Sequence, residues 1–153
     1  MSRGGGSGAM EEIQDQLEQL ERQREAIERE VRSLQQEQTD IDDAIEAVDT
    51  LEDGATVQVP LGGGAYVPAE VQQMDEVVVS LGGGYAAEQD QPGAIEVLET
   101  KRRRLDEDIA DLQSQREQVE SETRQLEQQA QQMQQQQMQQ LQQQMGQQPE
   151  GDG

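Results

Sequence analysis

The fold is decided by the stretch Thr56-Val57-Gln58-Val59-Pro60-Leu61-Gly62-Gly63-Gly64-Ala65-Tyr66-Val67 and its echo Glu76-Val77-Val78-Val79-Ser80-Leu81-Gly82-Gly83-Gly84-Tyr85-Ala86-Ala87, offset by 20 residues. In each copy, valine and leucine occupy alternate positions, the period of a strand. Each run ends in three glycines, which supply the positive φ angles that tight hairpin turns need. Two β-hairpins are predicted, one after the other. Pro60 has no N–H to give to a ladder, which places it on an edge.

On both sides of this block the period changes. From Met10 the apolar positions step by three and four: Met10, Ile13, Leu17, Leu20, Ile27, Val31, Leu34, Ile41, Ile45 and Val48, interrupted only by Arg24 and Gln38. A mean step of about 3.5 is that of a supercoiling helix. No proline or glycine falls between Met10 and Asp53, and Gly54 stands where a C′ glycine would stop the helix. A second stripe starts near Pro92, a good first-turn residue. It runs through Ile95, Leu98, Arg102, Leu105, Ile109, Leu112, Arg116, Val119, Thr123, Leu126, Ala130 and Met133. A glutamine run dotted with Met138, Leu141 and Met145 follows. The expected segments are a Gly/Ser-rich unstructured tail 1–9, helix 10–53, a double hairpin 54–91, helix 92–145 and a disordered tail 146–153.

A long helix with a narrow apolar stripe needs a partner in water, and each stripe can serve the other. In antiparallel register Val48 meets Leu98, Ile41 meets Leu105, Leu34 meets Leu112, Ile27 meets Val119, Leu20 meets Leu126 and Ile13 meets Met133. The fold class is therefore α+β: a long antiparallel coiled-coil hairpin of two helices, with two β-hairpins at the bend. Arg24, Gln38, Arg102 and Arg116 make impure layers that snorkel to water and set register. With both helices facing each other, the hairpins lack a core of their own. Isolated hairpins are marginal and their edges are open. Other subunits are expected to cover Val57, Val59, Leu61, Tyr66, Val67, Val77, Val79, Leu81 and Tyr85, closing a sheet or barrel.

Composition narrows the function. The chain has 153 residues, a net charge of −22, 1% aromatic residues, no His and no Cys. Imidazole and thiol catalysis, zinc knuckles and disulfides are excluded. Strong negative charge repels nucleic acid and anionic membranes, and no apolar run is long enough to span a bilayer. The lack of cysteine fits a cytoplasmic chain. Acidic excess with a single lysine, Lys101, resembles halophilic proteomes. The glycine triplets lack the Lys-Ser/Thr of a phosphate loop, and Asp40, Asp42 and Asp43 read as solvated helix surface. No catalytic, metal or cofactor site is expected. The one basic cluster, Lys101–Arg104, is read as locally ion-paired.

With its long helix, double β-hairpin and second long helix, and with Gly54–Val67 and Val79–Tyr85 as quoted, the chain resembles the α-type subunits of the archaeal prefoldin family. The resemblance covers about residues 10–145, and two hairpins rather than one distinguish the α type from the β type. It implies a heterohexamer of two α and four β subunits whose hairpins form a β-barrel platform. It implies coiled coils whose far ends hold non-native proteins and hand them to a group II chaperonin, without ATP. On that reading Met10, Ile13, Leu17, Met133, Met138, Leu141 and Met145 form the client-binding end, methionine being suited to partners of no fixed shape. The plainer readings are that Met10–Leu17 and Met133 are the last core layers, and that the chain is a coiled-coil scaffold or tether.

Overall fold

The computed structural model describes residues 4–147. The elements are α1 (Gly4–Thr50), β1 (Thr56–Gly62), β2 (Ala65–Glu70), β3 (Val77–Gly82), β4 (Tyr85–Gln89) and α2 (Gln91–Gln147). Met1–Arg3 and residues 148–153, parts of both expected tails, lie outside the described residues. The chain divides into two compact units, one of residues 32–110 and one of the chain segments on either side.

Residues 32–110 hold both hairpins and a pair of helix segments. The segments are antiparallel: Gln91 Nε2 donates to Val48 O at 2.6 Å, Arg102 Nε to Asp42 Oδ1 at 2.7 Å, and Gln38 Nε2 to Asp106 Oδ1 at 2.5 Å. The first of these also satisfies a carbonyl in the last turn of α1, where helical partners run out. Asp90 caps α2, accepting from Gly93 N at 2.8 Å. The helix thus starts one residue before Pro92, which sits in its first turn.

β1 pairs with β2 and β3 with β4, both antiparallel, as two separate two-stranded sheets. The glycine triplets behave alike. Gly62↔Ala65 and Gly82↔Tyr85 close two-residue turns in which Gly63 (φ 60) and Gly64 (φ 83), and Gly83 (φ 61) and Gly84 (φ 82), take the left-handed conformation. Such turns match the twist of the strands they join. Just before each triplet the register shifts by one residue, leaving Leu61 and Leu81 without a partner in the ladder.

Three expectations are corrected. Gly54 does not end α1: the helix stops at Thr50, and Gly54 (φ 84) instead turns the chain into the first hairpin, donating to Val71 O at 2.7 Å. Helix α1 begins at Gly4 rather than Met10, because extending a formed helix costs far less than nucleating one. The second hairpin does have a core within the chain. Val79 is 5% exposed and packs with Ile41, Ala94 and Leu98, bordered by Val77, Ala44, Ile45, Val48, Val97 and Leu105. One face of β3 therefore lies on the helix pair.

In the other unit Ile13, Leu20, Val31 and Val119 are buried, and Leu17, Ile27, Leu112, Leu126, Ala130 and Met133 are half-buried. These are the stripe positions of both helices, so the seam runs where the three-four rhythm puts it.

Candidate functional site

Two kinds of apolar surface remain uncovered, and each belongs to one unit. The first is the hairpin surface. On β1 and β2, Val57, Val59, Val67 and Ala69 share one face, since Val57 pairs with Ala69 and Val59 with Val67. Val59, Leu61, Tyr66 and Val67 are exposed, Leu61 at 67%, and Val57 is half-buried. On the second hairpin Leu81 and Tyr85 are exposed, Tyr85 at 75%. Val79 is the correction here: expected on the assembly face, it is buried within its own chain, and Val77 is half-buried beside it. Val78, between them, points the other way and is exposed. In a Val-Val-Val run the period alone cannot say which face is inward, because both are apolar; only the helix pair beneath decides it.

The second surface lies on α2. Met138, Leu141 and Met145 are 63%, 58% and 71% exposed. The seam rhythm through Ala130 and Met133 would next place apolar residues at 137, 140 and 144, but glutamine stands at all three. The apolar residues arrive one position late. One residue turns a helix by about 100°, so this short stripe points away from the seam. That phase slip is visible in the sequence. The sequence at the start of α1, Gly4-Gly5-Gly6-Ser7-Gly8, contains no apolar side chain. Ile13, expected at the client-facing end, is 7% exposed and is a core layer. Met10, Leu17 and Met133 are half-buried seam residues. They are covered because α1 and α2 both continue beyond them.

The electrostatics differ between the polar layers. Arg102 is engaged by Asp42 at 2.7 Å and Asp106 at 3.7 Å, while Gln38 bonds Asp106 across the seam. The hydrogen bond and charge of Asp42 push the Arg102 guanidinium above its ordinary range. Arg24 is engaged by Glu21 of its own helix at 2.6 Å, which raises it similarly. Arg116 reaches Glu120 at 3.8 Å. The Nε atoms of Arg24 and Arg116 are shielded from solvent and make no hydrogen bond among the described residues. Of the basic cluster, only Arg102 is ion-paired among the described residues: Lys101 Nζ donates to Ser80 O at 2.8 Å and Arg103 to the Thr100 hydroxyl at 3.1 Å. Among the described residues no helix is long and apolar enough to cross a membrane.

Comparison with known proteins agrees with these features. The family model described as prefoldin subunit matches residues 20–144. The prefoldin subunit alpha of Haloarcula marismortui is 60% identical over 111 residues, covering 72% of either chain. That of Halorubrum lacusprofundi is 65% identical over 77 residues, covering 50% of this chain and 51% of its own, and that of Halobacterium salinarum is 66% identical over 76 residues, covering 50% and 49%. These relatives come from halophilic archaea. Among solved structures, the filamentous PFD from Methanocaldococcus jannaschii superposes with a TM-score of 0.51 at 26% identity, covering 78% of this chain and 96% of that one.

Proposed function

The chain belongs to the prefoldin subunit family, and from that premise we propose that it is the α-type subunit of an ATP-independent co-chaperone that holds non-native proteins and passes them to a chaperonin. The observation that carries this reading is the exposed Met138, Leu141 and Met145 stripe, turned off the seam and set among glutamines. Flexible, polarizable methionine adapts to irregular apolar partners, and glutamine keeps the surface hydrated without fixed charge. Family membership supports a role in chaperoning rather than catalysis. The hairpin surface is the assembly face: Val59, Leu61, Tyr66, Val67, Leu81 and Tyr85 would be covered by neighbouring subunits in a complex of two α and four β chains acting in the cytoplasm. Exposed apolar area of this kind on a small protein marks an interaction site.

The test is suppression of aggregation of a chemically denatured client. Met138→Ser, Leu141→Ser and Met145→Ser combined should leave complex mass unchanged and weaken suppression several-fold. Full suppression by the triple variant would remove the stripe from the account. No suppression by the unaltered complex would favour a scaffold.

A further inference from the structure

The chain holds no cysteine, histidine or tryptophan, so its methionine thioethers are the side chains that a peroxide oxidises first. Six methionines are present. Met1 lies outside the described residues, and Met10, Met74 and Met133 are half-buried. Met138 and Met145 stand apart, at 63% and 71% exposed. They are one heptad apart, about two helical turns, so both thioethers lie on one face of α2 with Leu141 between them. No charged residue falls between Glu127 and Glu150. The adhesive surface of this segment is therefore three apolar side chains among neutral amides, and two of the three carry an oxidisable sulfur.

The glutamines favour the oxidised form. Gln142 comes four residues after Met138 and three before Met145, and Gln134 comes four before Met138. Side chains at these spacings are neighbours on a helix surface. A thioether is a weak acceptor for an amide N–H, whereas a sulfoxide oxygen is polar and accepts well. Oxidation thus replaces an apolar face that needs a partner with a polar one whose hydrogen-bond donors stand within a turn.

We propose that Met138 and Met145 are paired oxidation sites, at which a peroxide switches off the holding of non-native chains. The inference rests on the client-holding reading above and adds its regulation. In the step, a thioether sulfur attacks the O–O bond of the peroxide. That bond breaks and an S=O bond forms. The sulfur gives up two electrons, and the other oxygen takes the remaining proton and leaves as water. A dithiol reverses the step through methionine sulfoxide reductases, one for each sulfoxide epimer: the oxygen departs as water and the dithiol closes to a disulfide. Met10 and Met133 are shielded in the seam, so the helix pair keeps its layers while the outer stripe changes polarity.

For the test, the full-length chain is treated with hydrogen peroxide, freed of oxidant, assembled with untreated β-type subunits and assayed for suppression of aggregation of a chemically denatured client. Tandem mass spectrometry should find an added oxygen on Met138 and Met145 several times sooner than on Met10, Met74 and Met133. Suppression should fall several-fold as the pair is oxidised, with helical circular dichroism and complex mass unchanged. It should return after treatment with both sulfoxide reductases and dithiothreitol. Met138→Leu combined with Met145→Leu keeps the stripe apolar without sulfur. That variant should suppress like the unaltered chain and be indifferent to peroxide. Equal oxidation rates at these five methionines would overturn the proposal. So would full suppression by the chain oxidised at both sites, loss of helix or of complex mass on oxidation, or undiminished peroxide sensitivity of the double leucine variant. The client-holding reading fails separately, if the untreated, unaltered complex suppresses nothing. If the triple serine variant loses suppression while the doubly oxidised chain keeps it, only the present proposal falls.

Discussion

Arg24 and Arg102 occupy equivalent stripe positions but meet different company. Arg102 is bonded across the seam by Asp42, so the guanidinium joins the two helices. Among the described residues Arg24 and Arg116 are ion-paired only with carboxylates of their own helices, and each holds a shielded Nε that makes no hydrogen bond. An orphaned donor costs more than a hydrogen bond returns. Arg24→Leu and Arg116→Leu should therefore each raise the thermal midpoint, whereas Arg102→Leu should not, because it removes the bond to Asp42 that joins the two helices. Thermal melts by circular dichroism decide this, and a lower midpoint for Arg24→Leu would contradict it. In the hairpin core, Leu98→Ala deletes a side chain that packs with Ile41, Val79 and Ala94. The expected cost is about 2–5 kcal/mol, read from the shift of the urea unfolding midpoint.

At the scale of elements, the helices were legible almost residue by residue. Every stripe position from Met10 to Val48 and from Ile95 to Met133 is buried or half-buried, because a three-four rhythm has one geometric solution. The turns were equally plain, since three consecutive glycines that must all take positive φ leave few alternatives. Two things were not legible. Which face of β3 turns inward depends on the surface beneath it, and local alternation carries no such information. Helix ends depend on propagation and capping rather than on the stripe, so α1 reaches back to Gly4 and Gly54 serves the hairpin instead. The turn geometry makes a direct prediction. Gly63→Ala and Gly83→Ala force a side chain into the left-handed region at φ near 60, at about 1–2 kcal/mol each. Gly83→Ala should lower the unfolding midpoint, since its hairpin is packed on the core. Gly63→Ala should act mainly on assembly. Equal effects of the two on the midpoint would contradict this division.

For the whole molecule, charge and uncovered surface set the behaviour. A net charge of −22 opposes both folding and association of like chains, and salt screens it: the Debye length falls from about 10 Å at 0.1 M to about 3 Å at 1 M. Thermal midpoint and complex mass should both rise from dilute to molar KCl, and a flat response would contradict the electrostatic account. The candidate sites were legible in outline. Val59, Leu61, Tyr66, Val67, Leu81 and Tyr85 and the Met138–Met145 stripe stand exposed, while Val57 and Val77 are half-buried. Val79 and Ile13 are buried: Val79 lies on the helix pair, whose approach β3 alone does not encode, and Ile13 is a core layer, as the plainer of the two sequence readings had it.

The most direct measurement is the molar mass of the chain in molar KCl by light scattering, alone and mixed with a β-type subunit, with Val59→Asp in parallel. The account predicts masses well above the 17.0 kDa of one chain, reduced by Val59→Asp while helical circular dichroism persists. A mass of 17.0 kDa in both samples across the concentration range would contradict it, for the exposed hairpin surface would then be stable in water by itself.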